Sequence, residues 1–319
     1  MLLRRGLKMA HLRLLAALGS TGQMGAAAVQ MGITQPAASR LMAEVERITG
    51  TVLHLRTGRG LVLTPGGMAL ARRAAQVLIE IEDAGRELAE IAGGMGGQVR
   101  LGAVTGPAMD RVLPAMAALR AAGVPLQVEV VVATSDVLCA QLLAGQLDFA
   151  LARLPTGEDA GRLRFVHLGS EPVRLLVRRG HPMLRAGGAA DLMACDWVMP
   201  PAGSIMYRTV IDRLRLLGLP QPPGMLATSS FLFTLALLQQ SDAIAPLARA
   251  VTDRFAGADQ APYAVLPVDL GIEVAPYGLI TRIGAGLTPA TERVLALVMA
   301  AGAAEGAGSA GAEDAAECV

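Results

Sequence analysis

The chain has 319 residues and a mass of 32.9 kDa, room for two or three domains at about 100–200 residues each. Its mean hydropathy of +0.47 raises the question of a membrane protein. The long charge-free stretch at residues 216–241 is broken by Pro220, Pro222 and Pro223, whereas a spanning helix needs about 20 consecutive apolar residues, so no bilayer span is expected.

Residues 7–18 are predicted to form a helix with Leu12, Leu15 and Ala16 on one face, interrupted by residues 19–22. Residues 24–31 form a short Ala-rich helix that Gly32 ends. Thr34 is a good N-cap and Pro36 belongs in a first turn, so a third helix follows. It sets Ala38, Leu41, Met42, Val45 and Ile48 on one face, and Gln35, Pro36, Ser39, Arg40, Ala43 and Arg47 on the other; Gly50 closes it. Two apolar runs, 52–55 and 61–63, flank a Gly-containing turn and suggest a small hairpin. Thr64-Pro65 caps a long helix in which Leu70, Ala74, Val77, Ile81, Ala84, Leu88 and Ile91 alternate by four and three. That is either a coiled-coil seam or one face packed on its own domain; the length and the flanking acids (Glu80, Glu82, Asp83, Glu87, Glu90) favour pairing with a second copy. Residues 93–97 are a Gly-rich linker, with neither the preceding strand nor the Lys-Ser/Thr of a phosphate loop.

From residue 98 short apolar strands alternate with helices. Strands are predicted at 99–103, 126–132, 149–152, 173–178, 197–199, 243–246 and 274–281, and helices at 110–122, 136–145, 207–217, 231–240, 247–254 and 289–303. That rhythm implies parallel sheets covered by helices, whose doubly buried strands account for the hydropathy. Residues 304–319 contain Ala, Gly and Glu and read as a disordered tail.

The net charge of +1 conceals an asymmetry: residues 1–75 carry +8 and the remainder −7. Basic charge at one end is either a polyanion footprint or chance clustering on a solvated face, and the first carries more weight. Two short helices, a tight turn and a capped third helix make a helix-turn-helix. A recognition helix needs small residues that let it enter the major groove and amides or Arg that reach base edges. Gln35 suits adenine, Ser39 a base or phosphate, and Arg40 guanine or phosphate, while Arg56 and Arg59 on the hairpin suit the phosphate backbone as a wing.

Ala27-Ala28, Met31, Ile33-Thr34-Gln35-Pro36-Ala37, Ser39-Arg40, Val45-Glu46, Gly50, Leu53, Arg56 and Leu63-Thr64-Pro65-Gly66-Gly67 resemble the LysR-type transcriptional regulators, over roughly residues 7–303. The resemblance implies a multidomain fold. A winged helix-turn-helix (1–64, with Thr34, Gln35, Pro36, Ser39, Arg40, Arg56 and Arg59 on DNA) is followed by a linker and dimerisation helix (65–92, with Leu70, Val77, Ile81 and Leu88 as the seam). A hinge (93–97) leads to a two-lobed α/β effector domain like a periplasmic binding protein (98–303). Lobe I covers about 98–168 and 270–303, and lobe II about 169–269. The chain departs from the family at Gln23-Met24, where a Ser-Phe pair is usual, and at His54, where Phe is usual; the second helix is then less well capped and His54 is a substituted packing residue.

In two-lobed α/β domains ligands sit beyond the C-terminal ends of strands, against helix N-termini. Thr105-Gly106, Thr134-Ser135, Gly203-Ser204 and Thr228-Ser229 occupy such places, as effector contacts or as ordinary N-caps. They suit a small carboxylate or sugar-like metabolite, and the stretch 197–204 with Thr228-Ser229-Ser230 resembles the branch that controls sugar uptake or aromatic-acid breakdown. Arg153 is a counter-charge in the pocket or a solvated surface residue. Expected partners are double-stranded DNA, the effector, a second copy (dimer, or tetramer by the resemblance) and RNA polymerase.

Cys139, Cys195 and Cys318 are odd in number and far apart, and His11, His54, His167 and His181 are scattered, so no disulfide framework, metal site or cofactor is expected. Residues 1–8 lack the apolar run of a signal peptide, and the cytoplasm is the expected compartment. The alternatives are a cytoplasmic α/β enzyme, or a ligand-binding protein without a DNA role. Against the enzyme, no G-x-S-x-G, Walker lysine or paired-carboxylate motif is present, and Asp148, between a turn and a strand, fits a structural role better than acid/base work.

Overall fold

In a computed structural model, residues 2–57, 60–92, 97–155, 157–185, 187–258 and 260–309 are described. The chain divides into two units, residues 1–94 and 95–319.

The first unit is built from local signals that agree with one another. Helix α1 (Met9–Thr21) runs through Gly19 and stops at Gly22, whose φ of 66° supplies the left-handed turn. Helix α2 (Met24–Gln30) starts at Gln23, which gives no side-chain cap. Helix α3 (Gln35–Thr49) starts at Thr34, whose hydroxyl accepts from the Ala37 N–H at 3.4 Å. Leu14, Leu15 and Leu18 of α1 close the core with Ala27, Ala28, Ala38, Met42 and Val45. Met24 joins this core in place of the usual aromatic residue. Strands β1 (His54–Thr57) and β2 (Gly60–Leu63) form an antiparallel hairpin. Helix α4 (Pro65–Ile91) follows, its first turn capped by the Thr64 hydroxyl, which accepts from Gly67 N–H at 3.1 Å. Gly67 is required there, because a Cβ would lie 2.0 Å from the Leu53 carbonyl oxygen.

In the second unit β3 (Gln98–Ala103) leads into a helical turn α5 (Thr105–Pro107), then α6 (Leu113–Ala121), β4 (Gln127–Val132), α7 (Ser135–Leu143) and β5 (Phe149–Ala152). Strand β6 (Leu163–Arg178) crosses into a second lobe. This lobe holds β7 (Trp197–Met199), α8 (Ile205–Leu216), β8 (Met225–Ala227), α9 (Phe231–Gln240), β9 (Ala245–Ala248), α10 (Arg249–Ala256) and β10 (Tyr263–Val265). Strand β11 (Ile272–Arg282) returns, and α11 (Pro289–Ser309) closes the first lobe beside α6. Helix α11 continues into the segment read as a tail, in keeping with its alanines; residues 310–319 lie outside the described residues.

The sheets are mixed rather than parallel throughout. Strand β3 pairs in parallel with β4 and β5, and β7 with β8. The two crossover strands lie antiparallel, because the chain enters and leaves the second lobe through neighbouring positions. Strand β4 is an edge, with Glu129, Val130 and Val132 exposed, so the doubly buried pattern holds for β5 but not for β4. No helix among the described residues is long and apolar enough to cross a membrane.

Candidate functional site

The exposed face of α3 carries Gln35, Pro36, Arg40, Ala43, Glu44 and Arg47, with Thr34 exposed at its cap and Ser39 half-buried. Ala38, Met42, Val45 and Ile48 bury the opposite face. The spacing predicted both faces, and both follow from the 3.6-residue repeat. The carboxylate of Glu46 ties the end of α3 to the hairpin. Its Oε1 accepts from Leu53 N–H at 2.7 Å and from His54 N–H at 3.3 Å, and lies 3.0 Å from His54 Nδ1. His54 is thus a polar tether rather than a ring packed in the core. Arg59 lies outside the described residues, as do residues 93–96 of the expected hinge; of Arg56 only the backbone pairing with Leu61 is described.

The second site follows from strand direction. Strands β3, β4 and β5 run parallel, so Thr105-Gly106, Thr134-Ser135 and Arg153 all follow strand C-termini at one end of the first lobe. Ala152 pairs with Gly278 and Ala150 with Ile280, so that end points at the crossing of β6 and β11. In the second lobe β9 ends where Ala248 pairs with Val173, again beside the crossing, and β7 runs parallel to it through the Trp197–Ile244 bridge. Gly203-Ser204 and Thr228-Ser229, after β7 and β8, therefore face the same place. All four pairs thus sit at strand ends turned towards the β6–β11 crossing, the floor between the two lobes, with Gly106 and Ser135 buried; there the ladder slips around Tyr277, leaving Ala275 and Pro276 unpaired.

That floor holds a buried ion pair. Arg153 and Glu171, each 7% exposed, are joined through Nη2 and Oε2. Arg153 Nε donates to Ala275 O at 2.6 Å, and its backbone N–H donates to Ser135 Oγ at 3.1 Å. Gly106 leaves room for that pair, since a Cβ would lie 2.1 Å from Glu171 Oε1 and displace the carboxylate. Arg153 is thus neither a solvated surface residue nor a free counter-charge; Glu171 neutralises it. On the other side of the crossing Arg111 Nε donates to the Tyr277 hydroxyl at 3.0 Å, and the guanidinium lies 5.9 Å from the Tyr277 ring centre.

The cleft hydroxyls also cap their own turns. Ser204 Oγ accepts from Tyr207 N–H at 3.2 Å and Thr228 Oγ1 from Ser230 N–H at 3.0 Å. A hydroxyl that accepts a backbone N–H keeps its own proton to donate, so capping and ligand contact are compatible. The Thr134 hydroxyl bonds the Asp136 carboxylate and holds it below the usual carboxylate range. Asp148 is structural, accepting from Arg100 N–H at 2.8 Å and pairing with its guanidinium at 3.0 Å. Burial pushes the Cys139 thiol up to about 11, aided by Asp136 and Asp159, and burial raises Cys195 too, so neither is a ready thiolate.

Two family descriptions match: "Bacterial regulatory helix-turn-helix protein, lysR family" over residues 9–68 and "LysR substrate binding domain" over residues 92–303. The chain belongs to the LysR family of transcriptional regulators.

This LysR-family regulator is 40% identical over 253 residues to the HTH-type transcriptional regulator GbpR of Rhizobium radiobacter, covering 78% of this chain and 84% of the relative. It is 31% identical to the regulator PcaQ of Agrobacterium fabrum (strain C58 / ATCC 33970), over 86% of this chain and 89% of that one. Among solved structures, full-length CbnR complexed with its target DNA has a TM-score of 0.56 at 22% identity, covering 92% of this chain and 100% of that one. ArgP from Mycobacterium tuberculosis has a TM-score of 0.64 at 18% identity, covering 93% and 97%. The matched relatives are regulators, and the chain is one rather than an enzyme.

Helix α4 of the regulator changes character along its length. Leu70, Ala71 and Ala74 pack into the core of the first unit, and the exposed stripe begins at Val77. Exposure rises from 43% at Val77 through Ile81 and Leu88 to 72% at Ile91. In the second lobe an open hollow of about 810 Å³ lies at the other ends of β7 and β8, lined by Trp197, Met225, Leu226 and Asp242 among others. None of the described buried polar side-chain atoms lining it lacks a hydrogen-bond partner.

Proposed function

We propose that α3 enters the major groove of operator DNA with Gln35, Ser39 and Arg40 towards base edges and phosphates. Thr34 and Pro36 set the helix start, and Arg56 and Arg59 carry the wing to the backbone. The exposed stripe Val77, Ile81 and Leu88 pairs with a second copy, beyond Leu70, which packs into the core of its own unit; two such dimers make the tetramer, in the cytoplasm, where it acts on RNA polymerase access. The cleft takes a small oxygen-rich metabolite, held by Thr105, Gly106, Thr134, Ser135, Gly203, Ser204, Thr228 and Ser229.

The observation that carries the ligand class is the neutralised floor. With Arg153 already paired to Glu171, recognition falls to hydroxyls and backbone N–H groups, which suits a sugar-like ligand. A carboxylate is the second reading, supported by the N-termini of α7 and α8 at the cleft. Ligand closes the lobes about the two crossover strands, a hinge motion, and must bind the open and closed states unequally to shift anything.

A thermal-shift screen of the full chain with neutral monosaccharides and small carboxylates tests the class. At 100 times the Kd a ligand adds about 2.7 kcal/mol, or several degrees in a domain of this size. A sugar is expected to raise the melting temperature, and the rise to disappear in Thr228→Val. A rise with carboxylates alone overturns the sugar assignment, and no rise with either overturns the cleft as a ligand site.

A further inference from the structure

His11 and Glu44 are 33 residues apart in sequence, and no short-range pattern links them. His11 is 1% exposed in the first turn of α1, whereas Glu44 stands on the exposed face of α3. The Lys8 N–H donates to His11 Nδ1 at 3.0 Å. An Nδ1 that accepts leaves the ring proton on Nε2, which then donates to Glu44 Oε2 at 3.0 Å. An N–H to carboxylate bond of this kind is among the stronger hydrogen bonds, and it fixes where the carboxylate points.

Glu44 also stands four residues after Arg40 and three before Arg47, the spacings at which helix side chains meet. Arg40 and Arg47 are both exposed, and neither makes an ion pair among the described residues. The only negative charge on this stretch of the exposed face is therefore tied to α1, and the two guanidiniums beside it stay open to solvent.

We propose that His11 is a positioning residue for DNA binding. It never touches the duplex, but holds the Glu44 carboxylate against α1 so that it neither neutralises Arg40 and Arg47 nor meets phosphate. This rests on the placement of α3 on DNA. Without His11 the carboxylate is released into reach of both arginines. An internal ion pair then competes with a phosphate contact, and the freed negative charge repels the duplex backbone.

The test uses the full chain and a duplex of its own promoter, with affinity measured over a range of salt for wild type, His11→Leu, Glu44→Gln, the double variant and Arg40→Ala. His11→Leu is expected to weaken binding about fivefold at low salt and to make the salt slope shallower by about one unit, the loss of one phosphate contact. Glu44→Gln binds at least as tightly as wild type, and the double variant returns to within about twofold of Glu44→Gln, because no carboxylate remains to be released. Both His11 variants carry the same packing defect, so a merely structural role leaves the double variant as weak as His11→Leu and overturns the proposal. Unchanged binding by His11→Leu overturns it too. Unchanged binding by Arg40→Ala overturns the placement of α3 on DNA, and the proposal with it.

Discussion

Replacing Glu171 by glutamine lowers the stability of the ligand-binding domain by about 3–5 kcal/mol, because it leaves the Arg153 guanidinium buried without a counter-charge. At about 2–4 °C per kcal/mol the melting temperature falls by roughly 10 °C, which calorimetry or circular dichroism reads directly. Arg153→Met has a similar cost and also loses the bond to Ala275 O that anchors the bulged crossover strand. The double variant Arg153→Met/Glu171→Met recovers much of the loss, since an apolar pair needs no neutralisation. A Glu171→Gln variant that melts within 1 °C of wild type, against the ~10 °C expected, would mean that the pair is hydrated and that the floor of the cleft is not the neutral surface argued for.

The second large effect is at the entry to the linker helix. Gly67→Ala places a Cβ 2.0 Å from the Leu53 carbonyl oxygen, a backbone atom that cannot rotate away. The hairpin or the first turn of α4 must shift, at a cost of about 3 kcal/mol to the DNA-binding unit. Operator binding is lost at temperatures where the ligand-induced thermal shift of the second unit persists. Gly85 in the same helix has open space around its Cβ position, and Gly85→Ala is expected to stabilise by about 0.4–1 kcal/mol. Opposite signs for one substitution in one helix separate a steric requirement from helix propensity, and equal effects at both positions contradict the assignment.

How much could be read in advance depended on how local the chemistry was. Thr34 with Pro36, and Thr64 with Pro65, announced helix starts because an N-cap and a first-turn proline act within four residues. The face of α3 was legible for the same reason. The length of β6 was not. Gly169 and Pro172 punctuate it like breakers, yet both sit at the crossing, where the ladder itself slips. Strand β4 ends in an apolar run, Val130 to Val132, and its position at the end of the sheet order leaves Val130 and Val132 exposed. Leu70 looked like the start of a seam, but the core below it is formed by α1, which no heptad pattern describes. Three of the four hydroxyl-bearing pairs could be placed at strand ends, since each follows a predicted strand, whereas Thr228-Ser229 could be placed only before the helix at 231, because β8 is three residues long. Their common floor could not, since Glu171 acquires its role from Arg153 and Gly106, which the crossover brings to it.

The most direct test of a DNA-binding regulator controlled through its cleft is a footprint of the full chain on the promoter of its own gene. It is taken without ligand and then with whichever sugar or carboxylate raised the melting temperature. The expected result is a changed footprint, with the protected segment shortened or a hypersensitive bend relaxed, and no such change in Thr228→Val. An identical footprint at saturating concentrations of a ligand that demonstrably binds the cleft would contradict the account.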